Sequence, residues 1–221
     1  MERSSFWVIT LTGLFAASLW LLPGVMAPPL LGQIYTACAL AFCLLMLLGA
    51  WFGSHHELLD AWTFALLLSF CLLLPDALLA QQSGLAFPNL GGPRIYGPLP
   101  AYLPALWLAP LLVVLWLGEI AHRQSGTVAT LVALLASAAV FAAMEWVAPR
   151  LSLWVPRGVY TVWGVAVHAL AAKTLLGLAA WLMFTQVQHR TVFSKAAGAV
   201  VVALFYIGAV IAATFAVQRL L

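Results

Sequence analysis

Two carboxylic acids lie inside apolar stretches of this 221-residue chain, and both could take part in proton chemistry. Asp76 directly follows Pro75, and Glu145 lies at the end of an alanine-rich run. A carboxyl group in an apolar site can stay protonated and donate its proton to an alkene or an epoxide. A second carboxylate can take a proton back or orient a water molecule. We therefore predict Glu145 as a general acid and Asp76 as its partner.

Aromatic and basic side chains near these acids could complete such a site. Aromatic rings stabilise passing cations through their quadrupoles. We predict Tyr96 as a further catalytic residue. The predicted substrate-binding residues are Arg94, Tyr102, Trp107, Tyr160, Trp163 and His168. The alternative is structural: the two acids would instead pair with Arg94, Arg150 or Arg157 and hold the loops on the rest of the protein.

Helical spacing predicts which way the buried ionisable side chains point. Glu145 shares a stripe with Ala138 and Ala142, so it should face packed protein and not lipid. Lys173 lies within a later apolar stretch. Its long side chain could reach toward the membrane face on which the N-terminus lies, or pair with Glu119.

A second group of polar residues has spacing that could suit a metal ion. The motif Glu119-x-x-His122 places a carboxylate and an imidazole on one face of a helix, as in di-iron bundles. Further imidazoles could come from His55, His56 and His189. Zinc or iron bound here would suit a metal-dependent membrane hydrolase or oxidase. All five residues lie near predicted span ends, where polar groups reach water. We therefore expect no metal site and no cofactor.

Membrane-spanning helices must position these residues. Hydrophobic residues make up 65 % of the chain and charged residues 7 %, and the mean hydropathy is +1.09. A span needs about 20 mostly apolar residues, and the Pro, Gly and polar breaks leave seven such stretches. We predict an all-α polytopic bundle, a single transmembrane domain over residues 1–221, with a kink at Pro75. The predicted spans are about 6–26, 30–52, 57–79, 101–121, 126–148, 158–185 and 196–219.

Seven spans would put the two ends of the chain on opposite faces of the membrane. We call the face of the N-terminus side A and the opposite face side B. Asp76 and Glu145 approach side B, whereas the metal candidates lie toward side A. Lys and Arg residues are equally numerous on both sides, so the positive-inside rule gives no orientation. We expect the N-terminus in the cytoplasm and the protein in a bacterial inner membrane. The scattered basic residues form no patch, so nucleic-acid binding is not expected.

Two segments resemble a known group of membrane proteins. The run Gly91-Gly92-Pro93-Arg94-Ile95-Tyr96-Gly97-Pro98-Leu99-Pro100-Ala101-Tyr102 leads to Leu106-Trp107, and Glu145-Trp146-Val147-Ala148-Pro149 precedes Leu151–Trp154. Over about residues 85–155 the chain resembles carotenoid-biosynthesis proteins of the bisanhydrobacterioruberin-hydratase type and an uncharacterised prokaryotic relative. The resemblance implies a membrane enzyme of seven or eight helices that acts on an isoprenoid chain, with Glu145 as the family acid. Those hydratases show Asp-Pro where this chain has Glu145-Trp146.

These observations lead to three functional hypotheses. The first is an enzyme of isoprenoid or carotenoid metabolism that performs acid-initiated hydration or cyclisation of a polyene. The second is a non-catalytic accessory subunit that packs against other membrane subunits and holds a carotenoid or another pigment. The third is the metal-dependent hydrolase or oxidase of side A. The first two share the expected partners, which are membrane lipid and an isoprenoid or carotenoid ligand.

Overall fold

The fold was obtained as a computed structural model, which describes residues 2–24, 27–81 and 85–220. Within these residues the chain forms eight α-helices and three small two-stranded sheets. The helices are α1 Glu2–Leu21, α2 Pro28–Phe52, α3 His56–Cys71, α4 Leu73–Gln81, α5 Leu103–His122, α6 Gly126–Val147, α7 Val167–Val187 and α8 Val192–Leu220. The predicted all-α class is confirmed.

Six apolar helical stretches in the described residues are long enough to cross a membrane. They are Pro29–Phe52, His56–Gln81, Leu103–His122, Gly126–Val147, Val167–Val187 and Val192–Val217. The protein is therefore an integral membrane helix bundle. A shorter apolar stretch, Ser5–Leu21 in α1, corresponds to the first predicted span.

The third span is interrupted near Pro75, as the sequence predicts. Helix α3 ends at Cys71, a single turn residue follows, and α4 begins at Leu73. Proline lacks the backbone N–H for a bond one turn back and crowds the carbonyl at that position. Asp76 N donates to Leu72 O at 3.3 Å, so hydrogen bonding resumes directly after the proline. The break at Leu72 lies one turn before Asp76. The Asp76 side chain is buried inside the bundle.

Helix α5 lies at the centre of the bundle. The apolar stretch of α5 is 78 % buried, whereas the apolar stretches of α6 and α8 are each 22 % buried. It packs on α3, α6 and α7, while α8 packs on α3 and α7. Helix α1 packs mainly on α2, through Phe15 and Phe42, whose stacked ring centroids are 4.7 Å apart. The interior around α5 is thus the best-shielded place for polar groups.

Short strands organise the two long connections at side B. Strand β1 (Leu85–Ala86) pairs antiparallel with β4 (Val155–Pro156), which joins the two connections. The other strands form hairpins, β2 (Arg94–Tyr96) with β3 (Leu99–Pro100) and β5 (Thr161–Val162) with β6 (Val165–Ala166). The predicted sixth span, 158–185, is wrong at its start, because residues 158–166 include the β5–β6 hairpin and α7 begins only at Val167.

The glycine-rich segment before β2 packs tightly on α2. Gly32 N donates to Leu90 O at 2.9 Å. A Cβ atom on Gly32 would lie 1.8 Å from Gly91 O, and one on Gly91 would lie 1.9 Å from Pro29 O. Gly91 also has a φ of +71°, which side-chain-bearing residues rarely adopt. This packing gives a structural reason for the glycines of the segment.

Candidate functional site

Helix α6 places Glu145 inside the bundle through a buried stripe of four-residue spacing. The members of the stripe are Ala129, Ala133, Ser137, Phe141 and Glu145. Residues four apart lie on one helix face. The buried residues are Ser137 and Phe141, each one position before the predicted Ala138 and Ala142. The prediction that Glu145 faces packed protein is confirmed.

Glu145 forms an ion pair with Lys173 of α7. The Lys173 ammonium donates to Glu145 Oε1, and the two side chains are 8 % and 3 % exposed. The expected pairing of Lys173 with Glu119 is wrong, since Lys173 lies in the second turn of α7, near side B, whereas Glu119 lies near the side-A end of α5. The proposed pairing of Glu145 with a loop arginine is not seen either.

Close packing of α6 on α7 fixes the position of this lysine. Ser137 Oγ donates to the carbonyl oxygens of Lys173 and Thr174, at 3.1 and 3.0 Å. A Cβ atom on Gly177 would lie only 2.0 Å from Ser137 Oγ, so the glycine permits this approach. Small residues allow helix backbones to come this close in membrane bundles.

Two tryptophan rings flank the Lys173 ammonium. Its Nζ lies 4.8 Å from the ring centroid of Trp107 and 4.9 Å from that of Trp154, both within cation–π range. Trp107 Nε1 donates to Asp76 Oδ2 at 2.6 Å, which links the second acid to the same cluster. We call Asp76, Glu145, Lys173, Trp107 and Trp154 the acid–lysine centre.

The acid–lysine centre holds one more carboxyl group than it holds ammonium groups. All three ionisable side chains are buried. An uncompensated charge in a low-dielectric interior is costly. The centre therefore favours a state in which one additional proton or cation neutralises the second carboxylate. His168 is also buried and lies in the first turn of α7, five residues before Lys173.

An apolar groove adjoins the centre. It lies between α1, α5 and α6 and has a volume of about 210 Å³. Its walls include Phe15, Trp20 and Pro110, and its inner end includes Trp154. The Trp20 side chain is about half exposed, at 48 %, so the groove opens on the lipid-facing surface. Trp154 lines the groove and also lies beside the Lys173 ammonium, so it is shared by the groove and the acid–lysine centre.

Several predicted site residues lie elsewhere. Tyr96, Tyr160 and Trp163 are 63, 49 and 89 % exposed, and Arg94 is exposed too. These four side chains are exposed on the side-B hairpins, whereas both acids are buried, and the roles predicted for the four stay predictions. Tyr102 is buried, but its ring packs on Tyr35, with centroids 5.5 Å apart.

Asp76, Glu145 and Trp107 are the predicted site residues that come together. Sequence reasoning missed the roles of Lys173 and Trp154, and also Tyr206, whose buried ring lies 5.8 Å from that of Trp107. A signal for the lysine existed. It is the one Lys or Arg residue that lies deep within a predicted span, so it was the natural counter-ion for a buried acid.

The metal candidates of side A contact different partners. Among the described residues, no three His, Cys, Asp or Glu side chains are grouped as a metal ion would need. The ring of His122 packs on Trp181, with centroids 5.9 Å apart. His189 Nδ1 lies 3.6 Å from an oxygen of Asp60, which also pairs with Lys195. The expectation that His55, His56, Glu119, His122 and His189 bind no metal stays a prediction.

The chain matches the DUF6989 family, described as a domain of unknown function, over residues 73–217. Because the match covers more than half of the chain, the protein belongs to this family. No curated protein and no solved structure matches the chain. The matched range contains every residue of the acid–lysine centre, whereas α1, which forms one wall of the groove, lies outside it.

Proposed function

We propose that the protein is an integral membrane enzyme that transfers a proton to an apolar, lipid-borne substrate. The proposed reaction is acid-initiated hydration or cyclisation of an isoprenoid or carotenoid polyene. The observation that carries the proposal is the excess of carboxyl over ammonium groups in the acid–lysine centre. Such a centre holds an extra proton in its neutral state, and that proton is available for transfer.

The ion pair assigns different roles to the two acids. Glu145 pairs with the Lys173 ammonium, so we assign Glu145 the role of the base. Asp76 then holds the additional proton and is the acid, which reverses the roles expected from the sequence. Transfer of that proton to one alkene carbon leaves a cation on its neighbour. Water or a second double bond captures the cation, and loss of a proton to a carboxylate completes hydration or cyclisation.

The apolar groove suits the chain of such a substrate. Its opening on the lipid-facing surface lets a polyene enter from the bilayer. In this proposal the Trp154 ring, which lines the groove and lies beside Lys173, moves to let the substrate reach the acids. Trp154 Nε1 is buried without a hydrogen-bond partner among the described residues, so rotating the ring breaks no hydrogen bond of its side chain. The faces of Trp107 and Trp154, which hold the ammonium at rest, would stabilise a carbocation.

A second candidate is a non-catalytic accessory subunit that holds a carotenoid or another pigment. One observation favours it: the lining of the groove includes Trp154 but neither carboxyl group. In this function the acid–lysine centre joins helices, the groove holds the pigment, and the outward faces of α6 and α8 meet other membrane subunits.

The membrane arrangement completes the proposal. We propose that α1 makes a seventh crossing, so that the two ends of the chain lie on opposite faces. The membrane would be a bacterial inner membrane, with the N-terminus in the cytoplasm.

Conversion of an acyclic carotenoid tests the proposed reaction. Lycopene is supplied to membranes that contain wild type, Asp76→Asn, Glu145→Gln or Glu57→Gln, and products are separated by chromatography. Removal of a general acid or base lowers the reaction rate by about 10²–10⁴-fold. We therefore expect a decrease of this size in Asp76→Asn and in Glu145→Gln. Glu57→Gln is the matched control, since Glu57 forms an exposed pair with Arg123 at side A.

The outcomes separate the two candidates. Full activity of Asp76→Asn would disprove its role as the acid. A lack of conversion by wild type, together with a carotenoid that co-purifies with the protein, would favour the accessory subunit.

A further inference from the structure

The β5–β6 hairpin presents a tryptophan at its tip. Trp163 and Gly164 form the turn, with φ values of +53° and +83°, and the indole is 89 % exposed. Two positive φ angles are typical of the tight turns that join antiparallel strands. Glycine, Asn and Asp are the usual residues there, and a bulky side chain in this conformation is uncommon. The fold therefore holds a large apolar ring away from the bundle.

Other aromatic and apolar side chains lie exposed near the same end. Tyr96 and Ile95 project from the β2–β3 hairpin, and Tyr160 and Val162 from the β5–β6 hairpin. Both hairpins adjoin the ends of membrane-crossing helices, since β3 leads into α5 and β6 leads into α7. Tyrosine and tryptophan favour this level of a membrane, because their rings are apolar and their polar atoms reach water.

The charges of side B are of one sign. In the described part of the chain, the exposed charged side chains at this side are all arginines, namely Arg94, Arg150, Arg157 and Arg219. The two acids nearest to them, Asp76 and Glu145, are buried in the acid–lysine centre. Side A is mixed, with Glu57 paired to Arg123 and Asp60 paired to Lys195. A count of Lys and Arg residues alone hides this difference.

We propose that the two hairpins of side B dock into a layer of anionic phospholipid headgroups. Arg94 and Arg157 bind lipid phosphates, for which the guanidinium group has matching hydrogen-bond geometry. Trp163 and Tyr96 lie at the boundary between headgroups and acyl chains. The partner is lipid because the hairpins continue directly from the spans and carry positive charge beside interfacial aromatic residues. This docking does not depend on the proposed reaction.

Fluorescence quenching by brominated lipid tests the docking. The purified full-length protein is reconstituted into phosphatidylcholine vesicles with a minor share of brominated phosphatidylglycerol or brominated phosphatidylcholine. The bromines lie at shallow acyl positions. The signal of Trp163 is obtained as the difference between wild type and Trp163→Phe. We expect the anionic quencher to be about threefold or more effective than the neutral one, because basic residues attract anionic lipid. Both leaflets contain the quencher, so the result is independent of orientation.

Matched variants identify the residues responsible. The preference is the ratio of Trp163 quenching by the anionic lipid to quenching by the neutral lipid. Combined Arg94→Gln and Arg157→Gln should bring this ratio close to one. Combined Arg94→Lys and Arg157→Lys should retain most of the preference. Arg190→Gln at side A is the control and should leave the preference unchanged. Salt at about 1 M should weaken it, since the screening length falls to about 3 Å.

Three results would overturn the proposal. The first is equal quenching of Trp163 by both lipids in wild type. The second is no quenching by either lipid, which would place the hairpin in water or against another protein. The third is an undiminished preference in the Arg94→Gln and Arg157→Gln variant.

Discussion

At the scale of single residues, the buried charges distinguish this protein from a simple apolar bundle. Lys173 connects them, because it pairs with Glu145 and lies between the rings of Trp107 and Trp154. Trp107 in turn donates to Asp76. The contacts of Lys173 with Glu145 and Trp107, and that of Trp107 with Asp76, each join two different helices. The centre therefore contributes to both the packing of the bundle and its proposed chemistry.

Removal of the ammonium should destabilise the fold. Lys173→Met keeps the length of the side chain but leaves two buried carboxyl groups without a cation. Breaking one partner of a buried pair costs about 3–5 kcal/mol. We expect a loss of this size in the free energy of unfolding, measured by denaturant titration in detergent and followed by circular dichroism.

A second variant tests the reason for that loss. Combined Lys173→Met and Glu145→Gln removes both charges of the pair, so most of the lost stability should return. If the double variant were as unstable as the sum of the two single variants, Lys173 and Glu145 would not be energetically coupled.

At the scale of elements, close backbone contacts decide where the polar groups lie. The glycine-rich segment packs on α2 through Gly32 and Gly91, and α6 packs on α7 through Ser137 and Gly177. The first contact anchors the side-B connection that leads to α5. The contact between Ser137 and Gly177 fixes the position of Lys173 along the helix axis relative to Glu145. The segment that carries the resemblance to the carotenoid-biosynthesis proteins is thus explained in part by packing.

A methyl group on Gly32 should be poorly tolerated. Its position, 1.8 Å from Gly91 O, is occupied by backbone that cannot rotate away. Overpacking of this kind costs about 1–3 kcal/mol, so Gly32→Ala should lower the thermal unfolding midpoint in detergent. Gly208→Ala in α8 is the matched control, because nothing lies within 4 Å of its added Cβ atom. An equal response of both variants would contradict this account of the α2 contact.

At the scale of the whole molecule, the bundle creates an interior around α5 that a single helix could not provide. Six helical stretches are long enough to cross the membrane, and the two long connections meet at side B through the β1–β4 pair. Whether α1 also crosses determines the face on which the N-terminus lies.

Cysteine accessibility distinguishes seven crossings from six. The native Cys38, Cys43 and Cys71 are replaced by alanine, and single cysteines are introduced at Ser5, Gln124 and Tyr160. Intact cells or oriented vesicles are then labelled with an impermeant maleimide. Seven crossings place Ser5 on the same face as Gln124 and opposite Tyr160. Labelling of Ser5→Cys together with Tyr160→Cys would show that α1 does not cross.

The sequence by itself determined the class of the protein and most helix positions. Long apolar stretches can only be satisfied as helices in a bilayer. The break before Asp76 was also predictable, because the effect of Pro75 is local. The burial of Glu145 followed from helical spacing in the same way, although the stripe was misplaced by one residue.

Only the tertiary structure decided which charges meet and which loops lie outside. The contact of Ser137 with Gly177 sets how α6 packs on α7, and this packing brings Lys173 to Glu145. The direction of the hairpins is likewise set by strand pairing and turn geometry, which carry Trp163 away from the acids. Such choices depend on contacts between residues far apart in the chain, and local periodicity carries no information about them.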